Sequence, residues 1–517
     1  MKHLQQETQA EAVRTRHRTP RRTGIDHFGI AAMILMLAVS LVLYFRVVSS
    51  RFLTSKYLLL IMVVLIVVNA IHVFVQLPLR RNKLGKLICG AVSLVLTAVM
   101  IWSMISVGSL QSALARITGK VVESDVIVVA VQVNDPAQEL SDTAGYTYGY
   151  TDSVDKENSV AMLEHLHDKL GEFPTQISDS TVGVIQSLLQ GNVQAIFINN
   201  GFLEILKEQE DYSDISSRIR VIYEYTITRE IDVPASNIKI TEPFIIYCNG
   251  IDARSSDITA RANSDVNILA VVNPSSHEIL LLNTPRDYYV ALHMNGEKDK
   301  LTHAGAYSIE ESMNTLADLY NVSIPYYVRI NFYGLVGIVD ALGGVDVESP
   351  QAFTTNTMEI PTADGNSLEQ RSYSFPAGPV HLTGREALAF SRERYAFADG
   401  DNQRGKNQMT VIRGIVDKIT SPAILSNYQD LLKAFSDCFV TNISYNDVTA
   451  LVKAQQKNMQ GWHVTTYAVS GYPDSSICYS YPKYPLYVTR PDYDSVETAK
   501  TLIGQVMSGE VPALPEN

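Results

Sequence analysis

The stretch SRERYAFADGDNQRGKNQ, residues 391–408, sets Arg392, Arg394 and Arg404 beside Asp399, Asp401 and Gln408. Arg392 and Arg394, two apart, point to the same side if the backbone between them is extended. The segment HLTGREALAFSRER reads as a short helix running into a strand end, and DGD as the turn that follows. Beyond the turn, Val411, Ile412, Ile415 and Ile419 give a helical pattern, with Arg404 and Gln408 four apart on one face near its start. A guanidinium matches phosphate oxygens bidentately, and a helix start carries partial positive charge, so the set suits a pyrophosphate. Asp399 and Asp401 would repel that ligand unless they cap the helix, bind a bridging Mg²⁺ or carry a proton. The plainer alternative is a solvated helix start with surface ion pairs.

A second group of residues converges with the first in type. DVNILAVVNPSSHEILLLNTPRDYYV, from Asp265, has two β-rich runs separated by the turn signal NPSS. Pairing 272 with 277 sets 265 opposite 284 and brings Asp265 and Arg286 to one end of a hairpin. Asp252 and Arg254 of GIDARSSD lie on the loop leading in. A hairpin-end salt bridge with turn-forming aspartates explains the same residues.

Charge restricts what such arginines serve. The chain has a net charge of −12, yet 13 of its 42 Lys and Arg and only 3 of its 54 Asp and Glu fall within the first 107 residues. The remaining 410 therefore carry −22. A body this acidic repels a polyanion over most of its surface, which argues against nucleic acid as partner and for a compact anionic target.

The elements that must position these residues follow from hydropathy. Apolar runs from Phe28, Tyr57 and Leu87 each supply the roughly 20 residues that cross about 30 Å of hydrocarbon as a helix. Three long runs in succession, without a convincing small-residue cleavage site, favour membrane spans over a cleaved signal peptide. Five arginines (14, 16, 18, 21 and 22) precede the first span, and Arg80, Arg81, Lys83 and Lys86 lie between the second and third. The other short loop has only Arg51 and Lys56, with Arg46 at its edge. The positive-inside rule then puts the N-terminus in the cytoplasm and everything from about residue 110 outside. Asn69 and His72, in the second span, serve either as helix–helix glue or as a polar pathway, glue being the simpler role.

Outside the membrane two α/β units are expected. Residues 120–243 alternate strand runs (from Val126, Ala195 and Arg220) with helical patterns (SVAMLEHLHDKL, TVGVIQSLLQ) and form an accessory domain without chemistry of its own. Its GYTYGY, residues 145–150, reads as a surface loop, with sugar stacking as the functional alternative. Residues 244–508 form the second unit, a central sheet flanked by helices, between a basic tail with three spans (1–27 and 28–110) and a short C-terminal tail (509–517). There SIEESMNTLADLY and GLVGIVDALGG are helices, YYVRINF and VDVES strands. The apolar helix at 332–342 suits core packing or a greasy ligand pocket equally. Of the cysteines, Cys89 is intramembrane, and Cys438 and Cys478 either pair or remain buried thiols.

GIDARSSD, the SDVNILAVVNPSSHEILLLNTPRD hairpin, DKLTHAGAY, YYVRINFYGLVGIVDALGGV, LTGREALAFSRER and GDNQRGKNQ resemble, in order and spacing, the LytR-CpsA-Psr family. The resemblance implies a bacterial membrane-anchored phosphotransferase. Such an enzyme moves a glycopolymer, wall teichoic acid or a capsular or secondary polysaccharide, from an undecaprenyl-pyrophosphate carrier to peptidoglycan. Carried over, it makes Arg286, Arg392, Arg394 and Arg404 with Gln408 the pyrophosphate ligands and Lys300 the lysine near the head group. Asp252 and Asp265 become the carboxylates associated with Mg²⁺, or with Mn²⁺ in its place, and Asp401 the remaining acidic position, a possible proton acceptor. Two departures stand out: the family's usual glycines after the HA segment read AGAYSIEES, and its usual RSD reads NSD, which leaves Asn263 where an arginine is common. A non-catalytic polyisoprenoid-pyrophosphate sensor or transcriptional attenuator would need the same arginines without the carboxylates, and a pyrophosphate hydrolase would differ only in using water as acceptor.

The topology is directly testable. A C-terminal tag on the full chain should be cut by protease added to intact cells; a protected tag would overturn the assignment.

Overall fold

Apolar sequence without interruption forms helices where the backbone must satisfy itself, and α1 (Gly24–Ser49), α2 (Ser55–Gln76) and α3 (Lys83–Ile117) are three such helices. The computed structural model describes residues 24–76, 83–117, 121–207, 209–231, 239–251, 258–363, 367–398, 400–421, 439–457 and 460–515. The chain divides into two compact units, residues 1–111 and 112–517. All three helices are long and apolar enough to cross a membrane, α3 over Lys83–Ser109. In the first unit Asn69 donates to the Ser40 hydroxyl across α1 and α2 at 3.0 Å, so it acts as glue. His72 Nδ1 lies 2.8 Å from the Val68 carbonyl of its own helix.

Among the described residues the second unit contains two large sheets, one of five strands and one of six, with shorter two-stranded pairs beside them. The first is built from β1 (Val121–Gln132), β2 (Tyr148–Tyr150), β3 (Thr175–Ile177), β4 (Ala195–Asn199) and β5 (Ile219–Ile231), in the order β3-β2-β4-β1-β5. Helices α4 (Lys156–Leu170), α5 (Thr181–Leu189) and α6 (Asn200–Lys207) pack on it. The GYTYGY stretch departs from the surface-loop expectation. Its last three residues are β2, parallel to both β3 and β4, and all three are buried. The Tyr148 hydroxyl, 2.5 Å from that of Thr143, satisfies the one polar atom that burial would strand.

The second sheet begins with β6 (Phe244–Ile251), β7 (Ser264–Asn273) and β8 (Glu278–Asn283). A ribbon, β9 (Tyr289–Ala291) and β10 (Lys298–Lys300), leads into α7 (Leu301–Tyr307) and α8 (Ile309–Tyr320). Next come β11 (Tyr326–Ile330), α9 (Phe332–Ala341) and the antiparallel pair β12 (Val345–Ser349) and β13 (Gly378–Leu382). The chain continues through α10 (Gly384–Arg392), α11 (Asp401–Thr420), β14 (Phe439–Thr441), α12 (Tyr445–Lys457) and β15 (His463–Ala468). The sheet order is β14-β11-β6-β7-β8-β15. A last hairpin, β16 (Gly471–Cys478) and β17 (Tyr481–Pro491), precedes α13 (Tyr493–Ser508). One sheet face carries the core of Leu269, Leu280, Leu316 and Leu502, under α8 and α13. The other carries Ile268, Leu281, Met409 and Val448, under α11 and α12. Alternation along β7 and β8 sends these residues to opposite faces, which gives the expected sheet flanked by helices.

The β7–β8 register differs from the expected one by two residues. Asn273 pairs with Glu278, and four residues, Pro274 to His277, make the loop. The Asn273 side chain accepts from the backbone of Ser275 and Ser276 at 3.0 and 3.2 Å. His277 closes the turn at φ 60°, so the four-residue loop is displaced by one position from the expected 273–276 and Asn273 becomes the last paired residue of β7. Cys478 is a buried free thiol, whereas Cys438 lies outside the described residues.

The two sheets are joined by buried charge. Glu123, at 2 % exposure on β1, takes Arg261 Nε at 3.1 Å, Arg329 Nη2 of β11 at 3.3 Å and the Ile309 amide at 3.0 Å. Asp125 takes Arg229 at 3.0 Å. Helices α9 and α10 approach so closely that a methyl group on Gly384 would fall on the Val336 carbonyl. Gly384→Ala should therefore cost about 1–3 kcal/mol by forcing the helices apart. Gly504, mid-helix in α13 with open space around it, should gain up to about 1 kcal/mol from the same change. Denaturant midpoints of the two variants check this contrast.

Candidate active site

Parallel strands β6 and β11 end side by side, and at their carboxyl ends opens a cleft of about 620 Å³. Asp265, Arg286, Lys300, Arg392, Arg394, Arg404 and Gln408 all line it. Residues spread over more than 140 positions thus share one cavity. Asp252 and Asp399 lie outside the described residues, as does the side chain of Asp401, which opens α11.

Each cation is held by the local fold. The β7–β8 register continues so that the Thr284 amide donates to the Asn267 carbonyl at 2.9 Å, and the next residues carry Arg286 across from Asp265. Arg286 Nη1 bonds Asp265 Oδ1 at 2.6 Å. Asp287, which the sequence reading passed over, lies between Arg286 Nε at 3.8 Å and Lys300 Nζ at 3.0 Å. Burial alone would raise the Asp287 carboxyl, but Lys300 and Arg286 outweigh it and hold the group below its ordinary value. It stays ionised wherever the protein is folded near neutral pH, and it neutralises cations that would otherwise repel one another. Lys300 itself is fixed by the β9–β10 ribbon and by being the residue that caps α7.

The SRER segment is not a helix running into a strand. Helix α10 opens with a capping box between Thr383 and Glu386 and ends at Arg392, after which the chain turns. Glu393 is extended, at φ −69° and ψ 132°, and no strand follows it. Its side chain, 1 % exposed, accepts from the amides of Asn356 at 2.8 Å and Ala396 at 2.9 Å. Turning the glutamate inward sends Arg392 and Arg394 to the cleft, so the alternation survives without the strand. Arg392 lies 4.0 Å over the Phe332 ring and donates to the Glu359 carbonyl at 2.6 Å. Arg394 donates to the Tyr395 hydroxyl at 2.5 Å. Arg404 and Gln408, one turn apart on α11, reach the cleft because Gly405 lets the helix sit directly against Asn283 at the end of β8.

Phe332 and Leu335 of α9 with Leu388 of α10 make one flank of the cleft apolar. Among the described residues no group of three or more metal-ligating side chains occurs. Of the three carboxylates that line the cleft, Asp287 is taken by Lys300 and Arg286 and Glu393 by two backbone amides, which leaves Asp265, 18 % exposed, with Oδ1 on Arg286. Mg²⁺ is commonly held by one or two carboxylates with phosphate oxygens and water completing the shell, a donor set that Asp265 fits.

Further from the cleft, Asp299 and His303 are fully buried, with His303 Nδ1 2.7 Å from Asp299 Oδ1 and 2.8 Å from Ser480 Oγ. Burial would raise the Asp299 carboxyl, and His303 and the Ser480 amide reverse that and hold it low. Serine and aspartate share one ring nitrogen, so the imidazole cannot pass a proton from one to the other, and the trio is a clasp for the β16–β17 hairpin and not a nucleophile relay. The sequence signal for it was the His in DKLTHA, legible only once Ser480 is known to lie beside it.

The LytR_cpsA_psr family model matches residues 212–488. The polyisoprenyl-teichoic acid–peptidoglycan teichoic acid transferase TagU of Enterococcus faecalis is 34% identical over 259 residues, 48% of this chain and 80% of that protein. The TagU of Bacillus mycoides is 31% identical over 253 residues, 48% of this chain and 77% of its own. Among solved structures, B. subtilis TagV aligns with a TM-score of 0.42 and 23% identity, over 53% of this chain and 99% of that one.

Asp287→Asn should leave Lys300 and Arg286 without their shared counter-charge and cost about 3–5 kcal/mol, seen as a lower denaturation midpoint. Arg394→Ala, at a partly exposed turn, should keep that midpoint while weakening inorganic pyrophosphate binding to the full chain by roughly 10- to 100-fold in calorimetry.

Proposed function

The chain belongs to the LytR-CpsA-Psr family, and from that premise we propose that it transfers a glycopolymer, wall teichoic acid or a capsular or secondary polysaccharide, from undecaprenyl pyrophosphate to peptidoglycan. The observation that carries the reading is one cleft that joins Arg286, Lys300, Arg392, Arg394 and Arg404 to an apolar flank. A polyprenyl-pyrophosphate needs both, since its diphosphate is compact and anionic and its tail is hydrocarbon.

The chemistry follows from phosphoryl transfer. A sugar hydroxyl of peptidoglycan attacks the phosphorus nearest the glycan, a new phosphodiester forms, and the bond to undecaprenyl phosphate breaks as that group leaves. The arginines hold the non-bridging oxygens and stabilise charge that grows on the leaving group. Lys300, kept in place by Asp287, adds a point charge beside Arg286. The hydroxyl proton passes to a carboxylate, for which Asp401 and Asp265 are the nominees. Asp265 and Asp252 would hold Mg²⁺, or Mn²⁺ in its place, and the ion would supply further neutralisation of the diphosphate. The Phe332–Ala341 helix offers its apolar side to the tail. We also take the N-terminus as cytoplasmic and the second unit as extracellular, at the bacterial cell membrane, where both substrates meet it.

The test is to incubate the full chain with a lipid-pyrophosphate-linked glycan, Mg²⁺ and peptidoglycan oligomers and to look for the phosphodiester product. Arg392→Ala or Arg404→Ala should lower the rate on the order of 10²-fold or more, and chelation of the metal should abolish it. Tight lipid binding without product would make the protein a sensor, and glycan phosphate released without acceptor would make it a hydrolase.

A further inference from the structure

The β16–β17 hairpin has two faces with different surroundings. Cys478, Tyr481, Leu486 and Val488 are buried in one apolar cluster with Val182, Ile185 and Leu188 of α5, on the first sheet. The hairpin is tied down at both ends. Near its tip the Ser480 amide donates to Asp299 at 2.7 Å and the Tyr479 amide to the Lys298 carbonyl at 3.0 Å. Further along β17 the Thr489 amide donates to the Asp287 carbonyl at 2.7 Å. Its strand therefore runs directly beside the Asp287, Lys300 and Arg286 cluster. Between these ties Tyr487 turns away from the cluster of Leu486 and Val488 and lines the cleft with 55% of its surface exposed. Its cross-strand neighbour is Ser475, which is small and also exposed, so the strand itself does not cover the ring.

An exposed tyrosine on a rigid, doubly anchored strand loses little entropy when it meets a ligand, and its ring presents an apolar face with a polar tip. The apolar flank of the cleft is at Phe332, against Arg392, whereas Tyr487 belongs to the strand tied to Asp287. In a polyprenyl-pyrophosphate glycan the tail and the sugar leave the diphosphate in opposite directions. We infer that Tyr487 is a specificity residue that stacks on the first sugar of the donor, and that the first sheet serves the reaction by seating the hairpin that carries it.

This inference rests on the carrier reading of the cleft, and two probes separate the two. The full chain in detergent is titrated with undecaprenyl pyrophosphate and with undecaprenyl-pyrophosphate-linked N-acetylglucosamine. The wild type should bind the sugar-bearing probe roughly three- to tenfold more tightly than the bare one. Tyr487→Ala should erase that preference while the bare probe binds as before, and Tyr487→Trp should retain it. An alanine variant that weakens both probes equally, or neither, overturns the inference and leaves the carrier reading standing. So does a variant whose only change is a higher KM for peptidoglycan fragments, which would assign the ring to the acceptor. A wild type that binds neither probe overturns the carrier reading and this inference together.

Discussion

Concentrating cations in one cleft is the constraint to which the rest of the second unit answers. Guanidinium and ammonium groups a few ångströms apart repel, and the repulsion grows as water is excluded. Asp287 between Arg286 and Lys300, and Asp265 against Arg286, neutralise part of that charge from inside the fold. Arg392 is steadied differently, over the Phe332 ring and by the Glu359 carbonyl. The cleft thus keeps an excess of positive charge for a ligand while each cation has a local partner that fixes its direction. Preorganisation of this kind matters because donors already aimed need no reordering as charge develops.

The first sheet is bound to that arrangement more closely than its lack of chemical residues suggests. Glu123 bridges to Arg329 and Arg261, and Arg329 Nε donates onward to Asn249 at 3.2 Å. Asn249 in turn donates to Ser264 at 2.8 Å, next to Asp265. The AGAYSIEES departure from the family pattern falls at the same junction. Ala306 is buried with Phe202 and Ile205 of α6, and the Tyr307 ring lies 5.3 Å from that of Phe202. The Ala306 and Tyr307 side chains thus fill the space against the neighbouring layer. Ser308 closes the segment by capping α8, accepting from the Glu311 amide at 2.9 Å.

Much of the site was legible because its residues carry local signatures. The helical run of LTGREALAFSR, the 3.6-residue pattern after Arg404 and the β-rich runs around NPSS each place one arginine on a known element. Where local reading failed, a distant contact had intervened. GYTYGY looks like a loop by composition, yet two parallel neighbours make its end a buried strand. SRER reads as extended, yet the distant Asn356 amide, together with the nearby Ala396 amide, holds Glu393 inward where the chain turns. Asp287 was invisible because a carboxylate beside an arginine in sequence is unremarkable until Lys300 arrives from another strand.

By itself the sequence determined the class of the molecule: three membrane-length helices, an acidic α/β body, and an arginine set of the right type and order for a diphosphate. Those are properties of periodicity, charge and spacing, which act within a few turns or strands of chain. Only the tertiary structure decided that the arginines share one cleft, that Asp287 neutralises them, and that a hairpin seated on the first sheet brings Tyr487 to the wall. Each of these depends on groups tens to hundreds of residues apart becoming neighbours, and their energies exist only when packing has excluded the water between them.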